Sequence, residues 1–199
     1  HVTRIGEATF RGCRGLRSVM ISSSGTSIGD FAFYNCIKLS SVVIPPSVKN
    51  IGESAFCGCG GLTTVTIGAG VECIADMAFY DCQGLVSVTI PSSVTTIGNS
   101  AFGRCSSLKS VSIPSGVGRI CRGTFFDCSG LTSVTIPLSV TNIEEGAFDG
   151  CFELKEVTIP SSVTSIGSDA FQATKLFDDH PDGLVIIGDC LIRDKGKCL

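Results

Sequence analysis

Cysteine is the residue type in this chain with the widest chemical repertoire, because a thiolate can bind a metal, attack an electrophile or form a disulfide. The sequence contains 12 Cys among 199 residues. Seven of them recur with a 23-residue spacing, at Cys13, Cys36, Cys59, Cys82, Cys105, Cys128 and Cys151. Such a regular period predicts one column of thiols, with one thiol in each structural unit.

Disulfide and metal chemistry fit this column poorly. Successive members would lie about 4.8 Å apart with parallel Cβ vectors, which is outside the usual Cβ separation of a disulfide. Cys57-Gly58-Cys59 is too closely spaced for a usual zinc site, and no second Cys or His pair complements it. We therefore expect buried, free thiols packed against an inner backbone turn, and no metal. For Cys57, Cys73, Cys121, Cys190 and Cys198, outside the column, the spacing allows exposed thiols or a bridge near the C-terminus.

Catalytic chemistry has little support in the sequence. The two histidines are His1 and His180, far apart in the chain, and neither a nucleophile elbow nor a phosphate-binding loop is present. We expect no catalytic residues and no cofactor.

An acidic column has two interpretations. Glu7, Asp30, Glu53 and Asp76 recur two residues after successive isoleucines, where their oxygens would bind Ca²⁺ between units or cap short helical turns. Arg122 and Ser168 stand in the same column, which favours capping.

These residues are positioned by eight copies of one unit, each 23 residues long. Four apolar columns repeat without insertion or deletion. Isoleucine occupies positions 5, 28, 51, 74, 97, 120, 143 and 166, phenylalanine follows five residues later, and leucine and valine columns begin at Leu16 and Val19. Stacked units of this kind bury a continuous core that one unit alone does not form.

Each unit contains a short stretch that alternates polar and β-branched residues. Ser110-Val111-Ser112-Ile113 is typical of a strand with one buried face. Pro114 ends the strand because it has no N–H to donate. The pattern predicts one strand per unit, stacked into a parallel sheet. Residues 99–102 resemble one helical turn that packs Phe102 inward.

The unit Val-x-x-Ile-Gly-x-x-Ala-Phe-x-x-Cys-x-x-Leu-x-x-Val-x-Ile-Pro resembles the BspA-like leucine-rich repeat over roughly residues 2–171. The resemblance implies a leucine-rich-repeat solenoid, a right-handed superhelix or horseshoe with one short parallel strand per coil and short helical or irregular convex segments. It also implies a surface protein of bacteria or protists that acts in adhesion to a host or matrix. Departures from the pattern include Cys121 and Glu144 in place of Gly, and Thr9 and Thr124 in place of Ala.

The eighth unit loses the pattern near the C-terminus, where Thr174 occupies the Cys position and His180 a Val position. We predict a solenoid over residues 1–182 and a β-hairpin cap or connector over residues 183–199, with strands at 184–187 and 190–192. The first residues lack a signal-peptide pattern, so we expect such a peptide to be absent or removed.

Charge and hydropathy narrow the range of partners. The net charge of -3 and pI near 5.3 provide no basic surface for nucleic acid. No apolar run approaches the roughly 20 residues of a membrane-spanning helix. We expect a protein partner, no nucleic acid and no membrane insertion.

The outward strand positions are the first candidate binding surface. Its central residues are Thr64, Thr66, Ser87, Thr89, Ser110, Ser112, Ser133 and Thr135. Open solenoid sheets of this kind bind partners, yet these columns lack the Arg and aromatic residues typical of hot spots. The alternatives are a solvated face with no ligand, a flat Thr-x-Thr array that matches ice, and a structural spacer or assembly subunit that uses its convex and end surfaces.

A second candidate surface follows the phenylalanine column. Tyr34, Tyr80 and Phe126 recur in every second unit and would form an exposed aromatic stripe for a partner. The same spacing is explained equally well if the three rings act as padding, packing on the convex side against the next coil.

Overall fold

The computed structural model describes residues 4–177, 184–187 and 190–193. Residues 4–177 form a stack of coils in which each 23-residue unit makes one circuit. Each coil has two sides made of strand and one side made of turns.

Two sets of strands alternate along the chain. The longer strands are β2 (Ser18–Met20), β4 (Ser41–Ile44), β6 (Thr64–Ile67), β8 (Ser87–Thr89), β10 (Ser110–Ser112), β12 (Ser133–Thr135) and β14 (Glu156–Thr158). The two-residue strands are β1 (Arg4–Ile5), β3 (Ser27–Ile28), β5 (Asn50–Ile51), β7 (Cys73–Ile74), β9 (Thr96–Ile97), β11 (Arg119–Ile120), β13 (Asn142–Ile143) and β15 (Ser165–Ile166).

Strands of each set pair in parallel with the equivalent strands of neighbouring coils, in the register of the repeat. Val42 is opposite Val65 in the longer set, and Ile51 is opposite Ile74 in the shorter set. The expected parallel strand is thus present in successive coils. The two-residue strand was not predicted, because a single polar-apolar pair is too short to show alternation.

The turn side differs from the expected helical turn. Ser100 has φ of 51° and Arg104 has φ of 60°, and the equivalent positions of the other described coils are also left-handed. A right-handed helical turn requires negative φ, so the prediction of helix over residues 99–102 was wrong. Turn-side amides instead bond between coils, as Phe56 N–H does to the carbonyl of Ala78 at 2.8 Å.

The core is a set of columns that run through the stack. Phenylalanine rings from Phe10 to Phe171 stack with centroids 5.1 to 5.8 Å apart in neighbouring coils. Buried isoleucine, leucine, valine and cysteine columns surround them. Burial of a large apolar side chain stabilises the fold by about 1.5 to 3 kcal/mol, and each coil obtains this only from its neighbours.

The end of the chain changes architecture. A 3-10 helix at Lys175–Phe177 is followed by β16 (Leu184–Ile187) and β17 (Cys190–Arg193), which pair antiparallel. The division at residue 182 and the capping role of this pair stay predictions. His1, His180 and Cys198 lie outside the described residues.

Candidate binding face

The outward residues of the longer strands form a flat array of small hydroxyl side chains. Alternation along each strand sends Val65, Val88, Val111 and Val134 into the core and leaves their neighbours outside. We call the outer set the hydroxyl face: Thr64, Thr66, Ser87, Thr89, Ser110, Ser112, Ser133 and Thr135. Seven of these residues are exposed and Ser133 is half-buried.

Parallel pairing places the hydroxyl-face residues in two columns. Thr64 is opposite Ser87 and Thr66 is opposite Thr89, while Ser110 and Ser112 are opposite Ser133 and Thr135. The structure therefore brings the predicted residues together on one side of the molecule.

Hydroxyls at the corners of the coils differ from those of the hydroxyl face. Thr63 Oγ1 donates to the carbonyl of Ser40 at 3.1 Å, and Ser93 Oγ donates to that of Val71 at 2.6 Å. Within the described residues, no side chain of the hydroxyl face makes an intramolecular hydrogen bond. The corner hydroxyls join coils, whereas those of the face keep their donors and acceptors for solvent or a ligand.

The hydroxyl face is flanked by apolar residues at one end and by a charged residue at the other. Met20 and Val43, which continue one column at its N-terminal end, are 97% and 61% exposed. Glu156 continues the other column at the opposite end. The predicted site did not include Met20 and Val43, although their apolar type distinguishes them from the other outward residues.

The aromatic stripe lies on the turn side, away from the hydroxyl face. Tyr34, Tyr80 and Phe126 are half-buried, and Cys57 between the two tyrosines is only 7% exposed. A Cβ added to Gly103 would lie 2.9 Å from Tyr80 Cδ2, so that ring covers the glycine of the next coil. These packing contacts favour padding, while a partner-binding role for the three residues stays a prediction.

Tyr34 also contacts a cation from the preceding coil. The Arg11 guanidinium lies 5.1 Å from the centroid of the Tyr34 ring and 5.6 Å from that of Phe31. Arg11 therefore occupies one face of this aromatic pair.

The two aspartates of the acidic column join coils, and the column does not cap helices. Asp30 Oδ1 accepts a hydrogen bond from the Glu53 amide, and Asp76 Oδ1 accepts one from the Asn99 amide, both at 2.8 Å. The capping interpretation was wrong, because the segment that follows each acid is a turn with left-handed residues. Among the described residues, no group of three or more His, Cys, Asp or Glu is arranged to hold a metal ion.

The column cysteines are structural donors. Cys59 and Cys82 are fully buried, and their Sγ atoms donate to the carbonyls of Phe33 and Phe56 at 3.1 and 3.2 Å. All ten cysteines from Cys13 to Cys151 are free thiols. Six of the seven column cysteines are buried as expected, but Cys13, in the first described coil, is exposed. Burial first, and then the neighbouring thiols of Cys36 and Cys57, raise the pKa of Cys59 to about 12.

The off-column thiols also have raised pKa values. Burial and then the charge of Asp81 raise the pKa of Cys57 to about 11. Burial and then Asp76 raise that of Cys73, and Cys121 is likewise raised by burial first. A nucleophilic cysteine needs the opposite shift, so these environments stabilise the unreactive thiol form.

The fold recurs in solved bacterial proteins. A leucine-rich repeat protein from Bacteroides ovatus is 37% identical, with a TM-score of 0.84 over 87% of this chain and 45% of that protein. T. pallidum leucine-rich repeat protein is 34% identical, with a TM-score of 0.79 over 85% of this chain and 80% of that one. A leucine rich cell surface protein from Faecalibacterium prausnitzii is 33% identical, with a TM-score of 0.71 over 96% of this chain and 51% of that one.

The chain thus spans less than half of the Bacteroides protein. No curated protein matches it. No helix in residues 4–177, 184–187 or 190–193 is long and apolar enough to span a membrane. The model of the BspA type leucine rich repeat region matches in six copies, over residues 1–106 and 49–178. Together with the 23-residue coils, this match shows that the chain belongs to the BspA-type leucine-rich-repeat family.

Proposed function

We propose that this chain is a non-catalytic binding module that contacts a protein partner through the hydroxyl face. The proposal rests on the hydroxyl groups of that face, which make no hydrogen bond within the described residues. The hydroxyls at the coil corners, in contrast, are bonded to carbonyls of neighbouring coils. Leucine-rich-repeat proteins generally mediate protein interactions, which supports this use of an open sheet.

The chemistry of the hydroxyl face indicates how it would bind. It presents no charge and no aromatic side chain, so specificity would come from many hydrogen bonds on a rigid plane. Met20 and Val43 would add apolar contact at one end. A partner that covers both regions would be polar over most of its footprint and apolar at one edge.

We also propose that the protein acts at a cell surface, in adhesion to a host or matrix. The similarity to the leucine rich cell surface protein from Faecalibacterium prausnitzii supports this location. Labelling of intact source cells with a membrane-impermeant amine reagent tests it, and labelling only after cell lysis would contradict it.

The binding test compares two triple substitutions of equal charge. Thr66→Glu/Thr89→Glu/Ser112→Glu places three carboxylates on the hydroxyl face, and Asn50→Glu/Thr96→Glu/Ser165→Glu places three on the exposed side of the two-residue strands. Binding to immobilised extracellular-matrix proteins is measured by interferometry. We expect at least tenfold weaker binding for the first variant and little change for the second.

Two results would contradict the binding proposal. Equal effects of the two variants would show that the hydroxyl face has no special role. No binding of the unsubstituted chain to any matrix protein would remove the adhesion function.

A second candidate function, as a subunit of a larger assembly, rests on the coil at residues 4–26. Phe10, Val19 and Ile21 are only half-buried there and line a cavity of about 350 Å³ together with Met20. Sedimentation velocity over a hundredfold concentration range tests this function. Association that is lost in Met20→Ser/Ile21→Ser and retained in the hydroxyl-face variant would support it, whereas a monomer at all concentrations would exclude self-assembly.

A further inference from the structure

One junction between coils differs from all the others. We call the boundary between residues 87–109 and residues 110–132 the seam. Within residues 4–177, every other pair of neighbouring coils is joined by strand pairing on both sheet sides, but β8 does not pair with β10, and β9 does not pair with β11. Both sheets are therefore interrupted at the same level of the stack.

Backbone hydrogen bonds show the same interruption. The amide that follows each isoleucine donates to the isoleucine carbonyl of the preceding coil, at 2.9 Å for Gly98 to Ile74 and for Glu144 to Ile120. Cys121 N–H makes no such bond to Ile97 in the described structure. Gly118 N–H likewise lacks the bond that its counterparts Thr95 and Thr141 make at 3.0 and 2.9 Å.

The coil at residues 110–132 also lacks two side-chain bonds that the next coil makes to its neighbour. At the next junction, Thr141 Oγ1 donates to the Gly118 carbonyl at 3.3 Å and Ser139 Oγ donates to the Val117 carbonyl at 2.7 Å. These two bonds join the coils at one corner. The equivalent residues at the seam are Gly118 and Gly116, which have no side chain. The seam lacks both of these hydroxyl bonds. The junction where Gly70 and Glu72 occupy the same positions lacks them too and keeps both sheets, so their loss does not by itself interrupt the strands.

Larger side chains also distinguish the seam from its neighbours. Cys121 occupies the position of Gly98, and Thr124 occupies that of Ala101. Thr124 Oγ1 bonds to the Cys121 carbonyl at 2.8 Å and lies 3.5 Å from the carbonyl of Gly98 across the seam.

The phenylalanine stack widens at the same level. The Phe102 and Phe125 centroids are 5.8 Å apart, compared with 5.1 to 5.4 Å elsewhere. Ala75 and Glu144 also replace the glycine, without a threonine in the alanine position, and keep their backbone bonds. A larger residue at the glycine position therefore does not interrupt the sheets by itself, and the seam differs from these two junctions in having Thr124 as well.

The turn side of the seam stays joined. Ser100 N–H donates to the Arg122 carbonyl and Phe102 N–H donates to that of Thr124, both at 2.9 Å. Arg104 N–H donates to the Phe126 carbonyl at 2.6 Å. Thr132 joins the seam at the adjoining corner, where its N–H and Oγ1 donate to the Lys109 carbonyl at 2.9 and 3.0 Å. A junction bonded along the turn side and this corner, and unpaired along both sets of strands, allows rotation about the bonded side.

We propose that the solenoid is hinged at the seam, with the turn side as the axis and the two sheet sides opening and closing. The hinge divides the hydroxyl face into equal halves, with Thr89 on the last strand of one half and Ser112 on the first strand of the other. Rotation changes the angle between the halves, so the face adapts to partners of different curvature. This last consequence rests on the proposed function, whereas the hinge itself does not.

Hydrogen exchange of single amides tests the hinge in the full chain without a partner. We expect Gly118 and Cys121 to exchange at least tenfold faster than Thr141 and Glu144, their counterparts one coil later. Equal exchange at the two junctions would overturn the proposal. Since no partner is present, this result is independent of whether the hydroxyl face binds anything.

Two matched variants test the cause assigned to the seam. Gly118→Thr/Cys121→Gly/Thr124→Ala restores the repeat pattern, and a Cβ at Gly118 has no atom within 4 Å. Thr141→Gly/Glu144→Cys/Ala147→Thr transfers the seam residues to the next junction. We expect the first variant to slow exchange at positions 118 and 121 at least tenfold, and the second to accelerate it at positions 141 and 144.

Unchanged exchange in the restored variant would overturn the sequence origin of the hinge. The restored variant moves the chain toward its own repeat pattern, so its result is decisive even if the transfer variant fails to fold.

Discussion

The Sγ of Cys59 donates a hydrogen bond of 3.1 Å to the carbonyl of Phe33, 26 residues earlier in the preceding coil. Five further thiols make the equivalent bond at 3.0 to 3.3 Å: Cys36, Cys82, Cys105, Cys128 and Cys151. Each of these cysteines is fully buried. The thiol column thus connects the turn side of each coil to the coil before it.

The first prediction concerns thiol accessibility. The column cysteines from Cys36 to Cys151 are buried, whereas Cys13 is exposed. Because Cys13 occupies the same position in its own coil, it is a matched control. We expect iodoacetamide at pH 8 to modify Cys13 in the native protein and the other six column cysteines only after denaturation. Peptide mass spectrometry identifies the sites, and rapid native modification of Cys82 would contradict the buried column.

The second prediction concerns alkaline pH. Burial raises the pKa of Cys59 to about 12 in the folded chain, from an ordinary value of 9.0. Between these values the unfolded chain has released the proton and the folded chain retains it. Stability contributed by this shift is therefore complete below pH 9 and is lost as the pH rises toward 12, with a slope of up to about 1.4 kcal/mol per pH unit for one thiol.

Urea unfolding at pH 8 and pH 10 measures this slope. We expect Cys59→Ala to lose less stability between the two pH values than the unsubstituted chain, because the alanine does not titrate. Cys13→Ala, at the exposed cysteine of the same column, is the control substitution. Equal slopes in all three proteins would refute the role of the Cys59 thiol.

The columns that form the core are predictable from the sequence because every coil repeats the same burial. Phe79 and Leu85 are buried as their period indicates, and Val65 points inward while Thr64 and Thr66 point outward. A 23-residue period without insertions specifies the register, so the residues of the hydroxyl face come together without further information.

Other features depend on geometry that a period does not contain. Left-handed residues such as Met77 and Arg104 are not of the types that favour positive φ, so the turns were mistaken for helix. Cys121 and Thr124 are visible as departures from the repeat, but their joint effect depends on the distance between two coils. Hydroxyls at corners and on the face have the same residue types, and only their contacts distinguish them.

The third prediction concerns the phenylalanine stack. Phe79 is fully buried between Phe56 and Phe102, whereas Phe10 is half-buried and stacks on Phe33 alone. We expect Phe79→Ala to destabilise the fold by about 3 to 5 kcal/mol, because it removes a large buried side chain and leaves a cavity. Phe10→Ala should cost less than half as much in the same urea titration. Equal losses would contradict a continuous stack whose inner members are more strongly packed.

The fourth prediction separates backbone strain from crowding on the turn side. A Cβ at Gly146 meets no atom closer than 3.9 Å and one at Gly118 meets none within 4 Å, so both sites have room for a methyl group. They differ in backbone conformation, since Gly146 has φ of +60° while Gly118 lies outside the left-handed region. Gly146→Ala should destabilise by about 1 kcal/mol, because an alanine is strained at positive φ.

Gly118→Ala should instead be neutral or stabilise by about 0.5 kcal/mol, since alanine restricts the unfolded chain more than glycine does. Thermal unfolding of both variants beside the unsubstituted chain measures the two effects under the same conditions. Similar destabilisation by both substitutions would mean that the contacts around the new methyl group decide the cost. A loss confined to Gly146→Ala would show that the left-handed backbone conformation at this position sets the cost.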